Sequence, residues 1–299
     1  MIEIQDESIK RKVIFLLNNL WFGKYSHFFP HQICDYIERK DIFKIKTFLY
    51  CYYKSNTKNE KRALLFLFID SNCDKKAYVI FKDFSIHSIE IDCNSDYYNN
   101  TLFDISISPD GKIIIYDTIY VSGIKINNYP FMDRILEAQN FKTHTNNPIF
   151  EVCSYMQGIS SLSDSLKQYE EEIFLISNEL PIIVGLNRGC FKWQPSESIY
   201  FSLKVIELEH DLVLNACNYK KDVPFAKIHF SDPNGEIYIN KIKKLEDYKN
   251  ECVIDVGVNE NENEIIIIRV SKTFPSSLRY IEKMLRIKRE NIKINELIK

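Results

Sequence analysis

Lys192 and Trp193 stand side by side in the stretch GCFKWQPSE (189–197), in a chain with only two tryptophans. A lysine that reaches a cleft from a strand can stabilise charge that develops on a phosphate. Other cations share that capacity: Lys112, Lys125, Lys204, Arg269 and Lys272 are the residue types from which a phosphate-binding groove is built. Metal and thiol chemistry find less support. The eight cysteines form no C-x-x-C pair, and none sits near a histidine at zinc spacing, so they read as free thiols in a reducing compartment. The six histidines show neither metal nor triad spacing.

The elements that must position these residues follow from apolar periodicity. Ile9, Val13, Leu16, Leu17 and Leu20 recur at helical spacing over residues 7–20. Strands are expected at IKTFLYCYY (45–53) and RALLFLFI (62–69), joined by the polar stretch KSNTKNEK. A hairpin follows around Asp83-Phe84. TLFDISIS and KIIIYDTIYV flank Pro109-Asp110-Gly111, where proline fixes φ and glycine takes the left-handed position. Helices are expected over Met132 to Ala138 and Leu162 to Glu172, and short strands at EIFLIS and PIIVG, the latter leading into a turn at GLNRG.

After residue 198 the pattern becomes all-β. Five or six short strands in about 75 residues suit a small OB-type barrel. DPNGE (232–236) reads as an Asn-Gly hairpin turn leading into a strand, EIYIN. The chain closes on a helix with Leu278, Ile281, Met284 or Leu285, and Ile292 facing inward. Two domains are expected, 1–197 and 198–299, in an α+β class. Net charge is −2 with pI near 6.3, which gives no global argument for nucleic-acid binding. No apolar run reaches the roughly 20 residues that span a bilayer, so the expectation is a soluble intracellular protein without a membrane partner.

Several stretches, taken in order, resemble the covalent nucleotidyltransferases, above all the GTP:mRNA guanylyltransferases of mRNA capping. Tyr116-Asp117, Tyr120, Gly123, Pro130-Phe131 and Arg134 keep the spacing of that family's central strand and following helix. GCFKWQP is similar to its KWKP strand. Arg269, Lys272 and Pro275 fall in step with its R-x-D-K-x-x-P element. The resemblance implies a nucleotidyltransferase-type domain of antiparallel sheets and helices, then an OB-fold barrel and a C-terminal helix. It implies a lysine whose amine attacks the α-phosphorus of GTP, forming an N–P bond, losing a proton and releasing pyrophosphate, with Mg²⁺ as the metal. That lysine corresponds to Lys54, or alternatively Lys58, with Arg62 in step on the next strand. Tyr116 stands where the family stacks an aromatic on the base, and Lys192 where it contacts the α-phosphate. Glu171 stands at an acidic position that serves the metal.

The resemblance is uneven. The family's K-x-D-G-x-R loop is here longer and lacks D-G, so KSNTKNEK reads either as a solvated loop or as a remodelled nucleophile loop. The glutamate of D-G-E is Ser106, the second cation of KWKP is Gln194, and the aspartate of R-x-D-K is Ser271. Removing one charge-stabilising donor typically costs about 10²–10³ in rate. The expectation is therefore a catalytically eroded member that binds or scaffolds within the capping or transcription machinery, at the nucleus or a viral or cytoplasmic transcription site. Its expected partners are an RNA 5′ end or cap, an RNA triphosphatase or other capping subunit, and RNA polymerase. The alternatives are a divergent active guanylyltransferase and a relative of the ATP-dependent polynucleotide ligases.

Overall fold

The computed structural model describes residues 1–22, 29–47, 50–54, 60–145, 147–157, 172–218, 221–229, 233–259, 264–271 and 273–298. The chain forms two compact units. Unit one comprises Met1–Ile37, Ile42–Trp193 and Leu297–Lys299; unit two comprises Glu38–Asp41 and Gln194–Glu296. No helix among the described residues is long and apolar enough to cross a membrane.

Among its described residues, unit one carries strands β1 (Ile2–Glu3), β2 (Gln32–Tyr36), β3 (Tyr50–Lys54), β4 (Lys61–Ile69), β5 (Lys75–Phe81), β6 (Ile86–Ser88), β7 (Thr101–Ile107), β8 (Ile113–Val121), β9 (Ile124–Lys125), β10 (Phe150–Val152), β11 (Met156–Gln157), β12 (Ile173–Ser177) and β13 (Gly185–Trp193). Its helices are α1 (Glu7–Phe22), α2 (Ile42–Thr47) and α3 (Phe131–Thr145). The strands make two sheets. The larger runs β1-β6-β5-β4-β7-β8-β10, with β9 beside β8; the smaller runs β11-β3-β12-β13-β2. Pairing is antiparallel except for β8 with β10 and β2 with β13, which are parallel.

Burial on both faces explains why β4 is apolar almost throughout. Its alternate residues Leu64, Phe66 and Phe68 meet Val13, Leu17 and Trp21, the inward stripe of α1 at i, i+4 and i+8. Ala63, Leu65 and Leu67 face the other way, with Phe103, Ile105, Phe141 and Phe150. The turn between β7 and β8 forms as expected: Gly111 takes φ 85° and its N–H donates to the Ser108 carbonyl at 2.9 Å.

Unit two holds β14 (Phe201–Glu207), β15 (Asp211–Asn218), β16 (Lys221–His229), α4 (Pro233–Lys243), β17 (Val253–Val258), β18 (Ile265–Ser271) and α5 (Leu278–Glu290). The order is β16-β15-β14-β17-β18, antiparallel at every pairing, with α4 inserted between the third and fourth strands. This is the OB-type five-strand set expected after residue 198. Ser277 caps α5 by accepting from the Tyr280 N–H at 3.2 Å, and Asn291 ends it in the left-handed region. Ile281, Met284, Ile287 and Ile292 are buried; Leu278 and Leu285 are only half-buried.

Five sequence expectations are corrected. DPNGE does not make a hairpin turn, and EIYIN is not a strand, because Pro233 begins a helix, where its missing N–H costs nothing. Among the described side chains of that helix, Gly235, Ile239 and Ile242 are buried, at i, i+4 and i+7, a period of 3.6 rather than 2. The stretch 45–53 divides into the end of α2 and β3 rather than forming one strand. PIIVG is irregular up to Val184, and GLNRG is no turn but the first half of β13, which pairs with β2 through a bulge between Asn187 and Phe191. The helix expected at Leu162 to Glu172 falls on 158–171, outside the described residues, apart from Glu172, which is not helical.

Candidate functional site

Tyr116 is placed by a defect in the β7–β8 ladder. Asp104 pairs with Asp117 and Ile105 with Ile115, so Tyr116 is the extra residue of a bulge. The bulge sets it beside Arg62 of β4, whose guanidinium lies 4.4 Å from the Tyr116 ring centroid. Arg62 sits opposite Ser106 in the β4–β7 ladder, so Asp104, two residues along, is its diagonal neighbour on the same face. The Arg62 Nη2 donates to Asp104 Oδ2 at 2.6 Å. Glu60, entering β4, completes the group. Its Oε2 accepts from the Ser106 hydroxyl at 2.6 Å and from the Tyr116 hydroxyl at 2.5 Å. Its Oε1 is buried without a hydrogen-bond partner. Burial, then the Glu60 carboxylate, holds the Tyr116 phenol above its ordinary range, so it acts as a donor.

Lys192 approaches from the smaller sheet. Its ammonium pairs with Glu172 at 2.8 Å and lies 5.2 Å and 5.6 Å from the ring centroids of Tyr36 and Phe174. Phe174 belongs to the same apolar cluster as Tyr116, Phe131, Ile176 and Cys190. Cys34 of β2 packs on that cluster and feels the charges of Arg62 and Asp104 on one sheet and of Lys192 on the other. Its thiol is held below the ordinary range, first by its hydrogen bond with Cys190, against the effect of burial. Arg62 thus lies over Tyr116 on the larger sheet, and Lys192 of the smaller sheet lies by Phe174, which packs on the same apolar cluster as Tyr116. Behind them Arg134 of α3 clamps Asp117 with two bonds, of 2.7 and 3.0 Å.

Burial pushes the Asp104 carboxyl up to about 6, more than Arg62 pulls it down, and Asp117 adds to the rise. A carboxyl raised in the folded state binds protons there before it does in the unfolded chain. Between about pH 6 and pH 4 stability at this site therefore rises as pH falls, by on the order of 1–3 kcal/mol. Asp104→Asn removes that slope. Denaturant unfolding of both proteins from pH 7 to pH 4.5 is expected to show the wild type gaining relative to the variant; parallel curves would exclude the shift.

The remaining sequence candidates fall elsewhere. Lys54 ends β3, its backbone paired with Ile173. Lys58, Glu171 and Lys272 lie outside the described residues. Arg269 belongs to unit two, where its Nε donates to the buried Asp255 at 2.8 Å and its guanidinium lies 5.7 Å from the Tyr200 ring centroid. Within unit one, Lys112 and Lys125 share no groove. Lys112 and Lys125 stand at opposite ends of the nine-residue β8, roughly 25–30 Å apart, the first paired with Glu151 and the second over Tyr120. Lys204, in unit two, pairs with Asp222 and Glu251. Sequence reasoning missed Glu60, Cys34 and Glu172. Only the pairing of β4 with β7 could have exposed the first, since 46 residues separate Glu60 from Ser106. As for a metal, the described residues gather no group of three His, Cys, Asp or Glu side chains that could hold one. Asp104 and Glu172 are taken by Arg62 and Lys192, so the described part of the site does not fit Mg²⁺.

No protein-family model matches the sequence, and no curated protein does either. Among solved structures the chain is similar to a Lig E DNA ligase, with 13% identity, TM-score 0.38, and 81% of this chain and 99% of that one covered. It is also similar to mycobacterial DNA ligase D complexed with ATP (8%, TM-score 0.45, 82% and 96%). A third is the ATP-dependent DNA ligase of bacteriophage T7 in complex with ATP (7%, TM-score 0.42, 81% and 98%). At TM-scores below 0.5 these similarities carry no functional argument.

Proposed function

We propose that unit one binds a nucleoside triphosphate on a nucleotidyltransferase-type scaffold whose adduct-forming chemistry has been lost. The observation that carries this reading is Arg62 set over Tyr116 on one sheet and Lys192 beside Phe174 on the other, with Tyr116 and Phe174 in one apolar cluster. Two cations from different sheets, beside aromatic rings and above an apolar floor, suit an anionic group attached to a flat one. The engaged state of the carboxylates and the absent D-G of the loop support loss of catalysis. A scaffold role toward an RNA end, a capping subunit or a polymerase belongs to the same proposal.

Calorimetric titration of the full chain with ATP and with GTP tests it. The motif resemblance points to GTP and its ligase alternative to ATP, so both are needed. Saturable one-site binding is expected, with Kd between about 1 μM and 1 mM, or −8 to −4 kcal/mol. No saturation with either nucleotide would overturn the proposal. In parallel, α-labelled nucleotide is expected to leave no acid-labile protein adduct. An adduct with GTP or ATP that disappears in Lys54→Ala would instead establish a divergent active guanylyltransferase or a ligase-type enzyme, respectively.

A further inference from the structure

We infer that Glu60 reads the nucleoside part of the bound ligand, its Oε1 accepting a hydrogen bond from a sugar hydroxyl. The inference rests on the nucleotide reading of the site. Ser106, on β7, carries only a hydroxyl; Glu60, just before β4, sets a carboxyl group beside it. Its two oxygens differ sharply. Oε2 takes both hydroxyl protons, from Ser106 and Tyr116, whereas Oε1 is buried and accepts none. An ionised carboxylate only accepts, and a buried acceptor without a donor costs free energy that an arriving donor recovers.

A ligand that supplies the donor needs a particular shape. The Arg62 Nη2 is directed to Asp104, and no metal-ligating group of three gathers among the described residues. Arg62 over the Tyr116 ring sets a cation beside Glu60, so the ligand offers an anion to the arginine and a neutral donor to the carboxylate. A sugar hydroxyl close to a phosphate chain has that combination; inorganic triphosphate has only the anion. Tyr116, tied to Glu60 through its hydroxyl and to Tyr155 through its carbonyl, holds the carboxylate in position.

The test compares the full-length wild type with Glu60→Gln, using ATP, GTP, the 2′-deoxy and 3′-deoxy forms of ATP, and inorganic triphosphate as calorimetric probes. Glutamine keeps the size and can still accept from Ser106 and Tyr116, but then presents a donor where Oε1 stood. ATP and GTP are expected to bind Glu60→Gln about 10- to 100-fold more weakly, with inorganic triphosphate changed less than twofold. One of the two deoxy nucleotides is expected to lose a similar factor against the wild type and little more against the variant. Equal weakening of all probes, or no weakening, overturns the assignment. So does wild-type affinity indifferent to both deoxy substitutions, a result that needs no variant to fold. A wild type that binds no triphosphate overturns the cleft reading itself, and this assignment with it.

Discussion

Replacing Arg134 by methionine is expected to destabilise unit one by about 3–5 kcal/mol, the size of loss seen when one partner of a buried ion pair is removed. Arg134 is 1% exposed and Asp117 3% exposed. Their two bonds, with a third from Arg134 Nη1 to the Tyr129 carbonyl at 2.5 Å, leave no room for water to solvate a stranded carboxylate. Methionine fits the space among Phe131, Ile135 and Cys190 but satisfies neither Asp117 nor Tyr129. The double variant Arg134→Met, Asp117→Leu is expected to regain a large part of the loss, because the unpaired charge is then gone. Recovery stays incomplete, since the Tyr129 carbonyl and the Thr118 N–H that Asp117 accepts remain without their partners. Both tryptophans, Trp21 and Trp193, lie in unit one, so their fluorescence in urea reports this unit's transition. A single-variant loss below 1 kcal/mol would contradict the pairing.

The second large effect concerns ligand affinity. Arg62→Met and Lys192→Met are each expected to weaken ATP or GTP binding about 10- to 100-fold, as removal of a charged hydrogen-bond donor does. Together they should exceed 100-fold, short of the full product because both act on one ligand. The folding costs differ. Loss of Arg62 leaves Asp104 buried, but a carboxyl already titrating near 6 escapes much of the penalty by taking up a proton. Loss of Lys192 leaves Glu172, whose side chain is 40% exposed and stays solvated. Calorimetry at pH 6 separates affinity from unfolding. A change under threefold in the double variant would exclude these two cations as the phosphate site.

The frame was legible where local signals agree with tertiary packing. Pro109-Asp110-Gly111 specifies its own turn, and the short apolar run of β4, with two phenylalanines and polar stretches on both sides, reads as a buried strand. The OB-type strands were legible for the same reason. The helix at Pro233 was not: Asn-Gly is a strong hairpin signal, and Ile237 and Ile239 alternate like strand residues over so short a span. Only packing showed that Gly235, Ile239 and Ile242 are the face that counts. At the site, the resemblance picked out Arg62, Tyr116 and Lys192; the first two are in contact on the larger sheet, and Lys192 stands on the smaller one beside Phe174. It could not reveal that Asp104 would hold Arg62 or that Glu60 would stand beside Ser106. Both follow from which residues lie across the β4–β7 ladder, and a one-residue slip in that register would have sent them to the other face. The bulge that turns Tyr116 into the group is likewise invisible in a strand read as regular alternation.

The most direct test of the two-sheet site is amide hydrogen exchange on the full chain, with and without saturating ATP or GTP. Slowed exchange is predicted in unit one on both sheets at once, in peptides covering 60–66 and 104–118 on the larger and 172–176 and 190–193 on the smaller, and is predicted to vanish in Arg62→Met, Lys192→Met. Protection confined to Gln194–Glu296, or none at saturation, would contradict it.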